Sequence, residues 1–253
     1  MPWHILLAWS CVGLLFWSYG LIDVPVHRKF ALLRYISRVS ADLQQRPELL
    51  DAPARMWPSA LRDMEDWVQR IEANAPRVVP DRSADFEWVI AADASLHGWG
   101  YFALCPATGQ TTSYGAAWNA DARQQLGPLL GRSTFAEPRA VVNALCHWRC
   151  PARAHVKRVL VMSDNSATVA AFNRGFSTGS LVMNQQIARL RRSLPSLDIE
   201  LRHIEGAVNP ADGPSRGAPI ISDYEHAEAA AALRLAMGSP TSSTRASTFF
   251  ADI

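Results

Sequence analysis

Lysine is nearly missing from this chain. Of 25 basic residues only Lys29 and Lys157 are lysines, and the other 23 are arginines. Cysteine is also scarce: four in 253 residues exclude a disulfide-stapled scaffold, and no two pairs have zinc-ribbon spacing. Neither sign of charge dominates. The net charge of +2 argues neither for nor against a polyanionic partner. What the chain does have is 49% apolar and 19% charged residues, enough for a real core and too apolar for disorder. Its length fits one large domain, or one domain with an appendage.

The one long apolar run, Ile5 to Ile22, is long enough to span a bilayer. Only His4 supplies polarity before it, no small-residue cleavage site follows, and Arg28 and Lys29 lie beyond it. The run also contains Ser10, Ser18, Tyr19 and two glycines, and three tryptophans lie between Met1 and Trp17, which fits a helix packed on a neighbour. The packed helix is the preferred reading and a membrane anchor the lesser one, so an intracellular placement, cytoplasmic or nuclear, is expected.

Apolar periodicity predicts a helix over Val26–Ala41 and a second from Trp57-Pro58-Ser59 to just before Asn74. Residues 77–85 read as a linker. From Phe86 the pattern changes to strands at Phe86–Ala92, Gly98–Leu104 and Thr111–Trp118, a three-strand antiparallel meander. A helix over Phe135–Trp148 follows, with Val141, Val142, Leu145 and Trp148 on its buried side. Then come a strand at Arg158–Met162, helices over Ala167–Asn173 and Ser180–Ser193, and a strand at Asp198–Ile204. Tyr224–Met237 reads as an Ala-rich helix and Gly238–Ile253 as a mobile tail. A meander joined to βαβ crossovers implies an α/β fold, a mixed five-stranded sheet flanked by helices, with a helical N-terminal appendage. The expected organisation is a helical segment with linker over 1–84, the sheet domain over 85–221, and a C-terminal helix and tail over 222–253.

Of four candidate acids, three sit at strand ends, where ligands are expected in such a sheet. Asp93 closes the first strand and Asp164 the fourth, Glu137 opens the first long helix, and Asp212 follows the fifth strand. If brought together they would repel one another unless hard divalent cations with oxygen ligands, Mg²⁺ above all, sat between them. Two such ions about 3.5–4 Å apart can hold the attacking water and leaving oxygen of a phosphodiester in line. Each acid also has an ordinary reading: turn acceptors for Asp93 and Asp164, the far end of a Thr134-Phe-Ala-Glu137 capping box, and a cap for Asp212. Between Asp85 and Ile221 there are 13 Arg/Lys against 10 Asp/Glu, or 13 against 6 without the four candidates. A basic surround to an acidic cluster suits a polyanion held over metal.

The strings Asp93-Ala-Ser-Leu-His-Gly-Trp-Gly100, Phe135-Ala-Glu137, Val161-Met-Ser-Asp164-Asn-Ser-Ala-Thr-Val169 with Asn173-Arg-Gly175, and His203-Ile-Glu-Gly206 through Asn209-Pro-Ala-Asp212 to Ser215-Arg216 resemble the ribonuclease H domain of retroelement reverse transcriptases. The likeness is greatest to DIRS-like and VIPER-like elements, covers roughly residues 85–217, and keeps the four motifs in the family's order. It implies a ribonuclease-H-like fold and a nuclease that hydrolyses the RNA strand of RNA–DNA hybrids. It also implies that Asp93, Glu137, Asp164 and Asp212 hold two Mg²⁺, with Mn²⁺ an alternative. Residues 14–76 resemble the thumb or connection segment that precedes this domain, so a polymerase domain is an expected partner alongside the hybrid. No Tyr-x-Asp-Asp polymerase motif occurs, and the chain reads as a separated C-terminal part of a larger protein.

Two departures from the family pattern stand out. Pro138 directly after Glu137 implies a helix that starts later, and Gly213-Pro214 after Asp212 replaces a more helical pair. Both allow a degenerate, non-cutting relative as the alternative. Ser95 and Asn165, next to the acids, are candidates for orienting them or touching a ribose 2′-hydroxyl, and Arg174 for a backbone phosphate. Cys146 and Cys150, one turn apart, read as buried helix-end thiols. His203 is expected to order a strand end, and His97 to sit in a turn. Arg189, Arg191 and Arg192 are expected to form a solvated basic helix face.

Overall fold

The structure, a computed structural model, describes residues 4–74, 76 and 85–238. Most of the sequence-read linker and the tail beyond Gly238 therefore lie outside the described residues. The chain divides into two compact units, Met1–Pro80 with Phe176–Asn184, and Asp81–Gly175 with Gln185–Ser243.

The first unit is helical: α1 (Ile5–Ser18), α2 (Phe30–Gln45) and α3 (Pro58–Glu72). Leu32, Leu33, Ile36, Met64 and Trp67 form its core with Val12, Leu15, Val24 and Phe176. Trp67 donates its indole N–H to Ser18 Oγ at 3.2 Å, so the largest buried ring leaves no polar atom unpaired. The expected helix from Val26 starts later. Val26–Arg28 is a 3₁₀ turn, and α2 begins at Phe30 after Lys29, whose ammonium is ion-paired with Asp66. The apolar run also ends early. At 14 residues α1 is about 21 Å long, short of a hydrocarbon core of about 30 Å. Ser18 Oγ bonds back to the Leu15 carbonyl at its last turn. Among the described residues no helix is long and apolar enough to cross a membrane.

The second unit is built on β1 (Trp88–Ala94), β2 (Gly98–Leu104), β3 (Thr111–Ala117), β4 (Arg158–Ser163) and β5 (Asp198–His203), in the spatial order β3-β2-β1-β4-β5. β1, β2 and β3 form the antiparallel meander, whereas β4 and β5 join β1 in parallel. This is the expected mixed sheet flanked by helices. The central strand β1 is apolar on both faces because both are covered. Ile90 and Ala92 pack with Val141, Val142, Leu145 and Trp148 of α5 (Ser133–Trp148), and Val89 and Ala91 with Ala229, Ala230 and Leu233 of α9 (Asp223–Gly238). Each large aliphatic side chain buried this way contributes roughly 1.5–3 kcal/mol.

The remaining helices are α4 (Ala120–Leu126), α6 (Ser166–Arg174), α7 (Leu181–Ser193) and the single turn α8 (Asp212–Ser215). The sequence pattern did not reveal α4; Asn119 caps it by accepting the Ala122 N–H at 2.9 Å. Pro138 does not delay α5. The helix starts at Ser133 and takes the proline inside it. Proline has no N–H for the Thr134 carbonyl, but the first turn is already closed at the Arg132 carbonyl, which accepts the Phe135 N–H in a 3₁₀-type bond at 2.9 Å and the Ala136 N–H in an α-type bond at 3.1 Å. The capping box does not form either, because Arg132, not Thr134, is the N-cap.

Candidate active site

Parallel pairing of β1 with β4 aligns Ala91 with Met162, and two residues further on the same register sets Asp93 beside Asp164. Glu137 reaches this sheet end from α5, where it is buried with Ala136, Ala140, Val141, Ala144 and Leu145 along one stripe. Its Oε1 accepts the Ala94 N–H at 3.2 Å. Asp93, Glu137 and Asp164 each present a carboxylate oxygen within 4.8 Å of the others.

The surroundings of these acids are unfavourable to negative charge. Asp93 is 5% and Glu137 3% exposed. Burial first, then the charges of Asp93 and Asp164, push the Glu137 carboxyl up to about 9, against the pull of the Ala94 N–H and the Ser163 hydroxyl. Burial likewise raises Asp93 to about 6; the Ser215 hydroxyl opposes the rise, and Asp164 and Asp212 add to it. Glu137 Oε2 is buried with no hydrogen-bond partner. An orphaned carboxylate oxygen facing two more carboxylates, with oxygen as the only donor type, fits a hard divalent cation.

One hydrogen bond and one close backbone approach flank Asp164. His203 Nε2 lies 3.0 Å from its carbonyl, the strand-end role expected for this histidine. Gly206 passes so close that an added Cβ would meet Asp164 Oδ2 at 3.1 Å.

The fourth candidate, Asp212, is not in the three-acid group. It opens α8, where Arg216 clamps its carboxylate: Nε bonds both oxygens at 2.9 and 3.0 Å and Nη2 bonds Oδ1 at 2.8 Å. Asp212 and Asp164 both line a cleft of about 650 Å³, with Asn209, Gly213 and Arg216.

The three substrate candidates sit in local structure. Ser95 accepts the His97 and Gly98 N–H groups at 3.2 and 3.1 Å and donates to the Ser215 carbonyl at 2.7 Å. Asn165 caps α6 through the Thr168 N–H at 2.8 Å. Arg174 is exposed at the opposite end of that helix, about 13 Å along its axis. His97 is an exposed turn residue, Cys146 and Cys150 are free thiols, and Arg189 donates to Asn143 Oδ1 at 2.8 Å.

The structure also brings in residues to which sequence reading gave no role. Ser215 Oγ donates to Asp93 Oδ2 at 2.5 Å. The i, i+4 spacing of Asp212 and Arg216 was a legible signal for their ion pair. For Ser215 the signal was indirect: glycines inside two adjacent strands, a mark of close backbone approach.

No family model matches the chain, and no curated relative matches it. Among solved structures it is similar to ribonuclease H1 of the halophilic archaeon Halobacterium salinarum, with 16% identity over 52% of this chain and 94% of that one, TM-score 0.38. LC11 ribonuclease H1, solved with an RNA/DNA hybrid, gives 15% identity over 52% and 95%, TM-score 0.39. The foamy viral protease–reverse transcriptase, also solved with a hybrid, gives 13% over 70% of this chain and 28% of that one, TM-score 0.34. By its own strand order and pairing, the sheet unit is ribonuclease-H-like.

Proposed function

We propose that this chain is a divalent-metal-dependent endonuclease that hydrolyses the RNA strand of RNA–DNA hybrids. We further propose that it derives from a retroelement reverse transcriptase of DIRS-like or VIPER-like type, with residues 1–84 as its thumb- or connection-like segment. The observation that carries the reading is the meeting of Asp93, Glu137 and Asp164 within 4.8 Å at one sheet end. Asp93, Glu137 and Asp164 would hold Mg²⁺, with Mn²⁺ as a substitute, and Asp212 would complete the set for a second ion. When bound, the metal supplies Lewis acidity at the phosphodiester and a more acidic water.

The chain's own residues do the rest. Asp93 and Asp164, fixed by adjacent strands, set the spacing of the site. Glu137 brings an oxygen whose charge is costly unless a cation meets it. The open cleft beside Asp164 leaves room for a strand backbone. Ser95, Asn165 and Arg174 remain proposed substrate contacts, the first two through backbone they order.

The test is cleavage of the RNA strand of a labelled hybrid by the full chain in Mg²⁺, with Asp164→Asn as control. The expected result is cleavage that the variant loses by at least about a hundredfold, since even outer-shell changes at metal sites cost 10–100-fold. Equal cleavage by the two proteins would overturn the reading. A second reading, a module that binds hybrids without cutting them, is favoured by one observation, the Arg216 clamp on Asp212. Tight hybrid binding without cleavage, and without stabilisation by Mg²⁺, is its signature.

A further inference from the structure

Gly100 of β2 and Gly115 of β3 face each other across the strands. Glycine inside a strand weakens it, so a pair of them calls for a reason. That reason is α8. A Cβ on Gly100 would lie 2.5 Å from the Ser215 nitrogen, and one on Gly115 2.1 Å from the Pro214 carbonyl oxygen. The α8 backbone therefore occupies the space that two side chains would fill, and the Ser95 hydroxyl bonds it there through the Ser215 carbonyl.

From this seat the buried Ser215 Oγ stands 2.5 Å from Asp93 Oδ2 and 2.9 Å from the Asp212 carbonyl. A hydroxyl has one proton, and the nearer carboxylate is the stronger acceptor. The terminal torsion of an aspartate is broad and two-fold, so its rotamer preference alone does not fix which oxygen of Asp93 faces which neighbour.

We propose that Ser215 is a positioning residue of the metal centre, tethering one oxygen of Asp93 so that the other is presented to the cation, with Gly100 and Gly115 as the seat that carries the hydroxyl. This inference rests on the metal reading above and adds to it a residue that is not itself a ligand. It also explains why the Gly213-Pro214 departure does not disorder the fourth motif: Pro214 is the part of α8 that fills the glycine hollow.

The experiment is a MgCl₂ titration of the full chain, read as melting temperature without nucleic acid, for wild type, Ser215→Ala, Ser215→Thr and Gly115→Ala. Ser215→Ala removes a single oxygen and leaves α8 seated. Its Mg²⁺ midpoint is expected to rise about tenfold, and Ser215→Thr to restore it to within about twofold. Gly115→Ala, which alters no carboxylate, is expected to raise the midpoint similarly. A Ser215→Ala midpoint equal to wild type, even with a lower melting temperature at every Mg²⁺ concentration, reduces Ser215 to a staple for α8 and overturns the proposal. A folded Gly115→Ala with the wild-type midpoint overturns the seat. A wild type that does not respond to Mg²⁺ overturns the metal reading itself, and this inference with it.

Discussion

Two sets of carboxylates lie at the same end of the sheet and meet opposite conditions. Asp93, Glu137 and Asp164 crowd together, two of them buried, and among the described residues none has an ion pair. Asp212 is half exposed and carries its own cation, Arg216, one helical turn away. The first group must keep protons or be met by positive charge from outside, whereas the second is already neutralised. Burial separates them: a charged pair in water costs little to form or break, while like charges under a dry sheet end must be protonated or met by metal.

The largest effect that would break this contrast is at Glu137. Glu137→Gln keeps the shape and removes the ionisable group. RNA cleavage should fall by at least about a hundredfold while metal-free stability at pH 8 rises by roughly 2–4 kcal/mol, measured by denaturant melts. A variant less stable than wild type would show that the carboxyl is not under strain.

Next in size is the pH dependence of the metal-free protein. Both shifted acids have folded values above their unfolded ones, near 6 against 3.8 for Asp93 and near 9 against 4.5 for Glu137. The native state therefore keeps its protons longer. The stability these groups contribute is complete below the unfolded values and is lost as pH rises, through about 6 for the first and about 9 for the second. The slope per group is at most about 1.4 kcal/mol per pH unit. If Mg²⁺ replaces those protons, as proposed, the rise in melting temperature that it produces should be larger at pH 8 than at pH 6. An equal rise at both would remove the proton–metal exchange.

The smallest expected effect is at Arg216. Arg216→Gln frees an exposed carboxylate and should leave the metal-free melting temperature unchanged. A clear drop would mean that the Asp212 pair is structural after all, and the contrast between the two sets would fail.

The sheet was legible from sequence because its signals are local and redundant: a doubly buried β1, a β2 bounded by turn residues, and a helix with Val141, Val142, Leu145 and Trp148 on one side. The convergence of Asp93, Glu137 and Asp164 followed from strand order, which the motifs also supply. Three features were out of reach, each for a physical reason. The start of α5 was misplaced because proline's rule for helix interiors is statistical, and here one 3₁₀-type and one α-type bond to the Arg132 carbonyl hold the first turn. The short α4 has no strong apolar period and rests on a capping asparagine. Ser215 acts through a contact with a residue 122 positions earlier, which no local pattern encodes.

The parallel register of β1 and β4 has a kinetic consequence. It joins Asp93 to Asp164 across seventy-one positions of chain, and only after the intervening hairpin and helices have closed as a crossover. Long-range parallel pairing of this kind forms late, because loop entropy must be overcome before any contact rewards it. The three-acid cluster is thus expected to be among the last things assembled. The proposed magnesium, if it binds there, should slow unfolding and leave the folding rate as it was, which stopped-flow kinetics with and without MgCl₂ would measure.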